Sequence, residues 1–153
     1  MAKDFLTFLE KLSAEGIEFV IVGGVAARLY GSTRLTHDVD VVPNLAPDSW
    51  RKTVECIWEM GGRPRIPESM KSIVDVRNVH RWIAEKGMRA LNFRSEDGYV
   101  EIDLLVAESG RFNSLKERAT AVEFRGRTYL IAAVDDLIAM KRAAGRPQDL
   151  LDI

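Results

Sequence analysis

The chain has 153 residues, 46% hydrophobic and 29% charged, with a formal net charge of −1 and a single cysteine. That length suits one domain that buries roughly two-thirds of its unfolded surface without disulfides or structural metal, and the near-neutral charge gives no general attraction to nucleic acid. No apolar run approaches the ~20 residues that cross a bilayer, and Met1 to Phe5 carry no apolar signal core, so a cytoplasmic protein without membrane contact is expected.

Phe5, Phe8, Leu9 and Leu12 fall at helical spacing, which predicts an amphipathic helix over the first fifteen residues, ended by Gly16. Ile17 to Val22 reads as a buried strand. Val25 to Tyr30 reads as a short helical run with too few residues for more than two turns, starting at the Gly23-Gly24 pair. Asp38 to Val42 is a second strand stopped by Pro43. Trp50, Val54, Ile57 and Trp58 define a helix that also holds Cys56, with Pro47 near its start and Gly61-Gly62 after its end. Arg63 to Met70, with two prolines, reads as a loop. Asn78 to Lys86 reads as a helix stopped at Gly87.

Met88 to Arg94 and Tyr99 to Val106 flank Glu96-Asp97-Gly98, a hairpin signal, and Glu123-Phe124 and Thr128 to Ile131 flank Arg125-Gly126-Arg127 in the same way. Val134, Leu137, Ile138 and Lys141 are placed along one face of a final helix. Its first turn carries Asp135-Asp136, and Gly145 with Pro147 closes it.

Chemistry concentrates between Val20 and Val42. Strand residues two apart share a face, so Asp38 and Asp40 stand side by side while Val39 and Val41 enter the core. Like charges at that distance repel, and a divalent cation is a common way to hold them together. Gly23 and Gly24 lack a Cβ, so backbone there can approach an anion closely; a plain tight turn is the alternative. Arg63, Arg65, Lys71, Arg77, Arg81, Lys86 and Arg89 make the middle of the chain locally basic, read first as a solvated charged face. His37 and His80 have no ligand-spaced neighbours that would suggest zinc.

Gly23-Gly24, Asp38-Val39-Asp40 and the later Glu101-Ile102-Asp103 occur in the order that resembles the DNA polymerase beta-like nucleotidyltransferase superfamily. Gly23 to Ala26, with Arg34, Thr36 and the Asp38-Val39-Asp40 strand, look most like its abortive-infection-type toxin branch. The resemblance implies an α/β, mixed-sheet nucleotidyltransferase fold flanked by helices in a single domain covering residues 1–153. It implies transfer of a nucleoside monophosphate from a nucleoside triphosphate to an acceptor hydroxyl, with release of pyrophosphate. Two Mg²⁺ ions, or Mn²⁺, would be held by Asp38, Asp40 and Asp103, the last also able to take the acceptor's proton. Glu101 is the rival third acid, and one of the two acids could simply pair with an arginine.

The same resemblance gives Arg34 a place against the triphosphate, though an ion pair of Arg34 with Asp38 or Asp40 stays open; the hydroxyls of the neighbouring Ser32 and Thr33 could donate to the same anion. Lys141 and Asp149 would form a late pair in which the lysine contacts triphosphate or base and the aspartate orients it; a lysine that snorkels to the surface is the alternative. RNA, a protein or a small molecule could be the acceptor, and a toxin–antitoxin setting with a partner protein fits the branch. The chief rival is a catalytically idle nucleotide-binding regulatory or antitoxin module, followed by a metal-dependent phosphohydrolase.

Overall fold

A computed structural model describes residues 5–23, 26, 38–98 and 100–144. Its first helix, α1 (Phe5–Ala14), buries Phe8, Leu9 and Leu12, and Gly16 ends that segment at φ +73°. Strands β1 (Phe19–Val22) and β2 (Asp38–Pro43) follow, then α2 (Pro47–Glu59), the two-residue β3 (Arg63–Pro64), α3 (Met70–Ile73) and α4 (Val76–Lys86). Strands β4 (Leu91–Arg94) and β5 (Glu101–Leu104) lead through a 3-10 turn at Val106–Arg111 to α5 (Phe112–Arg118). Strands β6 (Thr120–Phe124) and β7 (Arg127–Ile131) and helix α6 (Val134–Ala144) complete it.

One mixed sheet runs through the molecule in the order β3-β4-β5-β2-β1-β7-β6. Strands β1 and β2 are antiparallel, β2 and β5 parallel, and β1 and β7 parallel, with antiparallel hairpins β4-β5 and β6-β7 on the two sides. Strand alternation makes one face of its centre apolar: Val39, Val41, Leu91, Phe93, Ile102 and Leu104 are all buried. Helices α1, α2 and α4 add Leu9, Leu12, Trp50, Ile57 and Val79 to the same core. The Trp50 indole donates from Nε1 to the Ile73 carbonyl at 2.7 Å, so a large buried aromatic also has its polar group satisfied. This is the mixed α/β sheet with flanking helices expected from the sequence. Among the described residues no helix is long and apolar enough to cross a membrane.

The stretch from Arg63 to Met70, expected to be a loop, opens with β3, paired to Phe93 and Arg94. A strand holding Pro64 is tolerated there because β3 is an edge, where a missing N–H costs no central ladder bond. Arg63 anchors it: its guanidinium lies 4.1 Å from the Trp58 ring centroid and donates to the Trp58 and Gly62 carbonyls at 2.8 and 2.9 Å. Helix α4 starts two residues before the expected Asn78, because Asp75 caps it by accepting from the Arg77 N–H.

Val134, which the spacing sets on one face of the last helix with Leu137, Ile138 and Lys141, is 48% exposed; Asp136 and Leu137 are the buried positions. Asp136 can point inward because Arg118 donates to both of its carboxylate oxygens, at 2.9 and 3.0 Å. The 3-10 turn and α5 were not expected from the sequence, although Phe112 and Leu115, three apart and both buried, mark an inward helical face. The expected helix at Val25 to Tyr30, apart from Ala26, and the closing Gly145 and Pro147 lie outside the described residues.

Candidate active site

The parallel pair β2-β5 sets Asp38 opposite Glu101 and Asp40 opposite Asp103. Because Val39, Val41, Ile102 and Leu104 are buried between them, alternation puts all four acids on the opposite face of the sheet. The hairpin partner β4 extends both rows, with Arg94 opposite Glu101 and Asn92 opposite Asp103. On the other side, Val22 is paired to Asp40, and Gly23 follows it directly.

Gly23 has φ +72°, and a Cβ added to it would fall 2.1 Å from Asp40 Oδ2 and 2.9 Å from its Cγ. Contacts that short do not occur between real atoms, so only glycine lets the turn after β1 close against the Asp40 carboxylate. The Gly-Gly turn and the first acidic strand are therefore physically joined at Gly23 and Asp40.

The two rival acids have different surroundings. Asn92 Nδ2 donates to Asp103 Oδ1 at 2.6 Å, an orientation the carboxylate dictates, since a flipped amide would set oxygen against oxygen. The Asn92 Oδ1 left behind is buried without a hydrogen-bond partner among the described residues. Glu101 Oε1 accepts from Arg94 Nε at 2.6 Å, is ion-paired to Arg94 Nη2 as well, and lies 3.4 Å from Arg65 Nη1. Burial pushes the Glu101 carboxyl up, but the Arg94 hydrogen bond and charge, a hydrogen bond shared with Asp38 and the Arg65 charge outweigh it and hold the group below its ordinary value.

Carboxylate oxygens on adjacent, registered strands are the hard donors that Mg²⁺ or Mn²⁺ takes, so donor chemistry and register fit such an ion. Among the described residues no three His, Cys, Asp or Glu side chains are gathered into one metal-sized cluster. Asp38, Asp40 and Asp103 share one face and two neighbouring strands, and Gly23 lies against Asp40. Lys141 lies on α6, half-buried. Gly24, Ser32, Thr33, Arg34 and Asp149 lie outside the described residues. Asn92, Arg94 and Arg65 are site neighbours that were not expected from the sequence. The observed turn, with the Gly98 N–H donating to the Ser95 carbonyl and the Ser95 N–H to that of Val100, sets 94 opposite 101 and 92 opposite 103; the Glu96-Asp97-Gly98 signal marks the hairpin but does not by itself fix that register.

A seven-stranded mixed sheet with paired acids on its two central parallel strands is the arrangement of a nucleotidyltransferase-type domain. Residues 4–153 match the model of the family described as "Nucleotidyltransferase of unknown function (DUF6036)", and the chain belongs to that family. A search of the curated proteins found no match. Among solved structures, the chain is similar to a candidate nucleotidyltransferase of Thermotoga maritima, with a TM-score of 0.58 and 15% identity over 95% of this chain and 85% of that one. An antigenic nucleotidyltransferase-like protein of Paracoccidioides brasiliensis gives 0.56 and 16% over 95% and 68%. The antibiotic-resistance factor ANT(2″)-Ia gives 0.52 and 16% over 94% and 71%. At these identities the likeness concerns the fold.

Proposed function

We propose that the chain is a metal-dependent nucleotidyltransferase that moves a nucleoside monophosphate from a nucleoside triphosphate to an acceptor hydroxyl and releases pyrophosphate. The observation that carries this is the register of β2 against β5, which sets Asp40 beside Asp103 on one polar face, with Gly23 closed against Asp40. Asp38 and Asp40 would hold Mg²⁺ or Mn²⁺, and Asp103 would complete the set. When bound, such ions neutralise charge on the attacking and leaving oxygens of an in-line displacement. Asp103, steadied on one oxygen by Asn92, is the group suited to accept the acceptor's proton on the other. Glu101 serves a different end, because its charge is spent on Arg94 and Arg65.

Backbone N–H groups after β1, with Arg34 and Ser32, are the proposed triphosphate contacts, and Lys141 with Asp149 the proposed late pair. The likeness of Gly23 to Asp40 to the toxin branch supports a cytoplasmic, toxin–antitoxin setting with a partner protein.

The test measures pyrophosphate release from each of the four nucleoside triphosphates with Mg²⁺ or Mn²⁺, alongside calorimetric binding of the same nucleotides. Metal-dependent release that Asp40→Asn abolishes supports transfer. Tight triphosphate binding without release from any acceptor, RNA, protein or small molecule, would instead make the chain a regulatory nucleotide-binding module.

A further inference from the structure

The arrangement beyond Asp103 bears on the second substrate, an inference that rests on the transfer reading above. Gly23 and the end of β1 flank Asp40 on one side, which is the side left to a triphosphate. On the other side of Asp103 come Asn92 and Arg94 of β4, and then the edge strand β3 with Arg65 just beyond it. The Arg65 backbone N–H donates to the Asn92 carbonyl at 3.1 Å, so the ladder fixes where that residue emerges.

Arg94 and Arg65 both aim at one atom, Glu101 Oε1. Two guanidinium groups, with five N–H donors each, cannot be spent on a single carboxylate oxygen, and the trio carries a surplus positive charge. The grip is also unequal. Arg94 holds Glu101 at 2.6 Å, whereas Arg65 stands at 3.4 Å with a side chain 52% exposed, a loose contact that an incoming oxyanion can replace. Guanidinium forks match phosphate oxygens in pairs.

We propose that Arg65 and Arg94 form an anion subsite on the acceptor side of the acidic row, so that the acceptor is a phosphate-bearing molecule rather than a cationic one such as an aminosugar. Glu101 holds the two arginines in place. The phosphate could belong to the end of an oligonucleotide or to a small phosphorylated molecule; the chemistry recognised is the same.

The experiment uses the whole chain with Mg²⁺ and four probes: a short fluorescent single-stranded RNA oligonucleotide followed by anisotropy, and a nucleoside monophosphate, the matching unphosphorylated nucleoside and a polycationic aminosugar followed by calorimetry. Variants are Arg65→Ala, Arg94→Ala and, as a charge-matched control of the same 52% exposure on α2, Arg51→Ala. Thermal melts check folding; Arg65, being exposed, keeps the test decisive should Arg94→Ala unfold.

The expected result is that the phosphate-bearing probes bind more tightly than the nucleoside and the aminosugar. Arg65→Ala should weaken them about tenfold, as loss of one charge-assisted hydrogen bond would, with Arg51→Ala unchanged. Preference between oligonucleotide and monophosphate then names the source. Equal binding of nucleoside and monophosphate, or equal losses in Arg65→Ala and Arg51→Ala, would overturn the subsite. Because binding is read directly, loss of anion affinity without any pyrophosphate release would sustain the subsite while removing the transfer reading.

Discussion

Gly23 and Asp40 show how a single missing methyl can define a site. A Cβ at Gly23 would fall 2.1 Å from Asp40 Oδ2, and the backbone there is left-handed, so Gly23→Ala has to displace the carboxylate and strain the turn together. The left-handed penalty alone is about 1–2 kcal/mol. Urea unfolding should show a loss of that size, and calorimetry should show weakened triphosphate and metal binding; unchanged binding would separate the turn from the site. The acids divide on similar grounds. An amide oxygen at position 103 can still accept from Asn92, so Asp103→Asn should fold normally and keep most triphosphate affinity while losing about a hundredfold or more in pyrophosphate release. Glu101→Gln, on the same face but committed to arginine, should retain most turnover. The reverse ranking would move the third acid two residues along the strand.

At the scale of elements, the hairpins were legible and the parallel pairings were not. Asp97-Gly98 and Arg125-Gly126 are local turn signals; Gly98, Arg125 and Gly126 adopt positive φ, and each turn fixes its own register. The pairing of β2 with β5 joins segments some sixty residues apart through helices and loops, and no local pattern states it. Asp38-Val39-Asp40 and Glu101-Ile102-Asp103 were readable as acidic strands and the family resemblance implied that they are neighbours, but their parallel register came from the structure. The last helix misled for a related reason: its apolar spacing favoured Val134, while a charged residue, Asp136, points inward because Arg118 of α5 meets it. Removing the arginine leaves a largely buried carboxylate without its donors. Arg118→Ala should therefore lower stability by about 1–3 kcal/mol, read as a shifted urea midpoint at constant slope. Asp136→Asn, which keeps an acceptor and removes the charge, should cost less. Equal and negligible effects would mean the pair adds nothing to the packing of α5 and α6.

The whole molecule places its chemistry at the centre of the sheet and its lone thiol on the far side of the core. Cys56 sits on α2 at 4% exposure, and burial, with smaller help from Glu15, pushes its pKa from the ordinary 9.0 to about 11. A thiol that is both covered and protonated is a poor nucleophile, so labelling by an aromatic disulfide near neutral pH should be slow in the native protein and immediate in urea, making Cys56 a reporter of opening of the core around α2. The same shift fixes a sign. Between about 9 and 11 the unfolded chain has released the thiol proton and the folded chain has not, so this contribution to stability is complete below about 9 and is lost as the pH climbs through that window. Comparing wild type with Cys56→Ala isolates it from Tyr129, whose burial raises its pKa and so acts in the same direction. The wild type should lose stability more steeply than the variant above pH 9. Matching slopes, or native labelling as fast as in urea, would show that the face of the core beneath α2 is open to water.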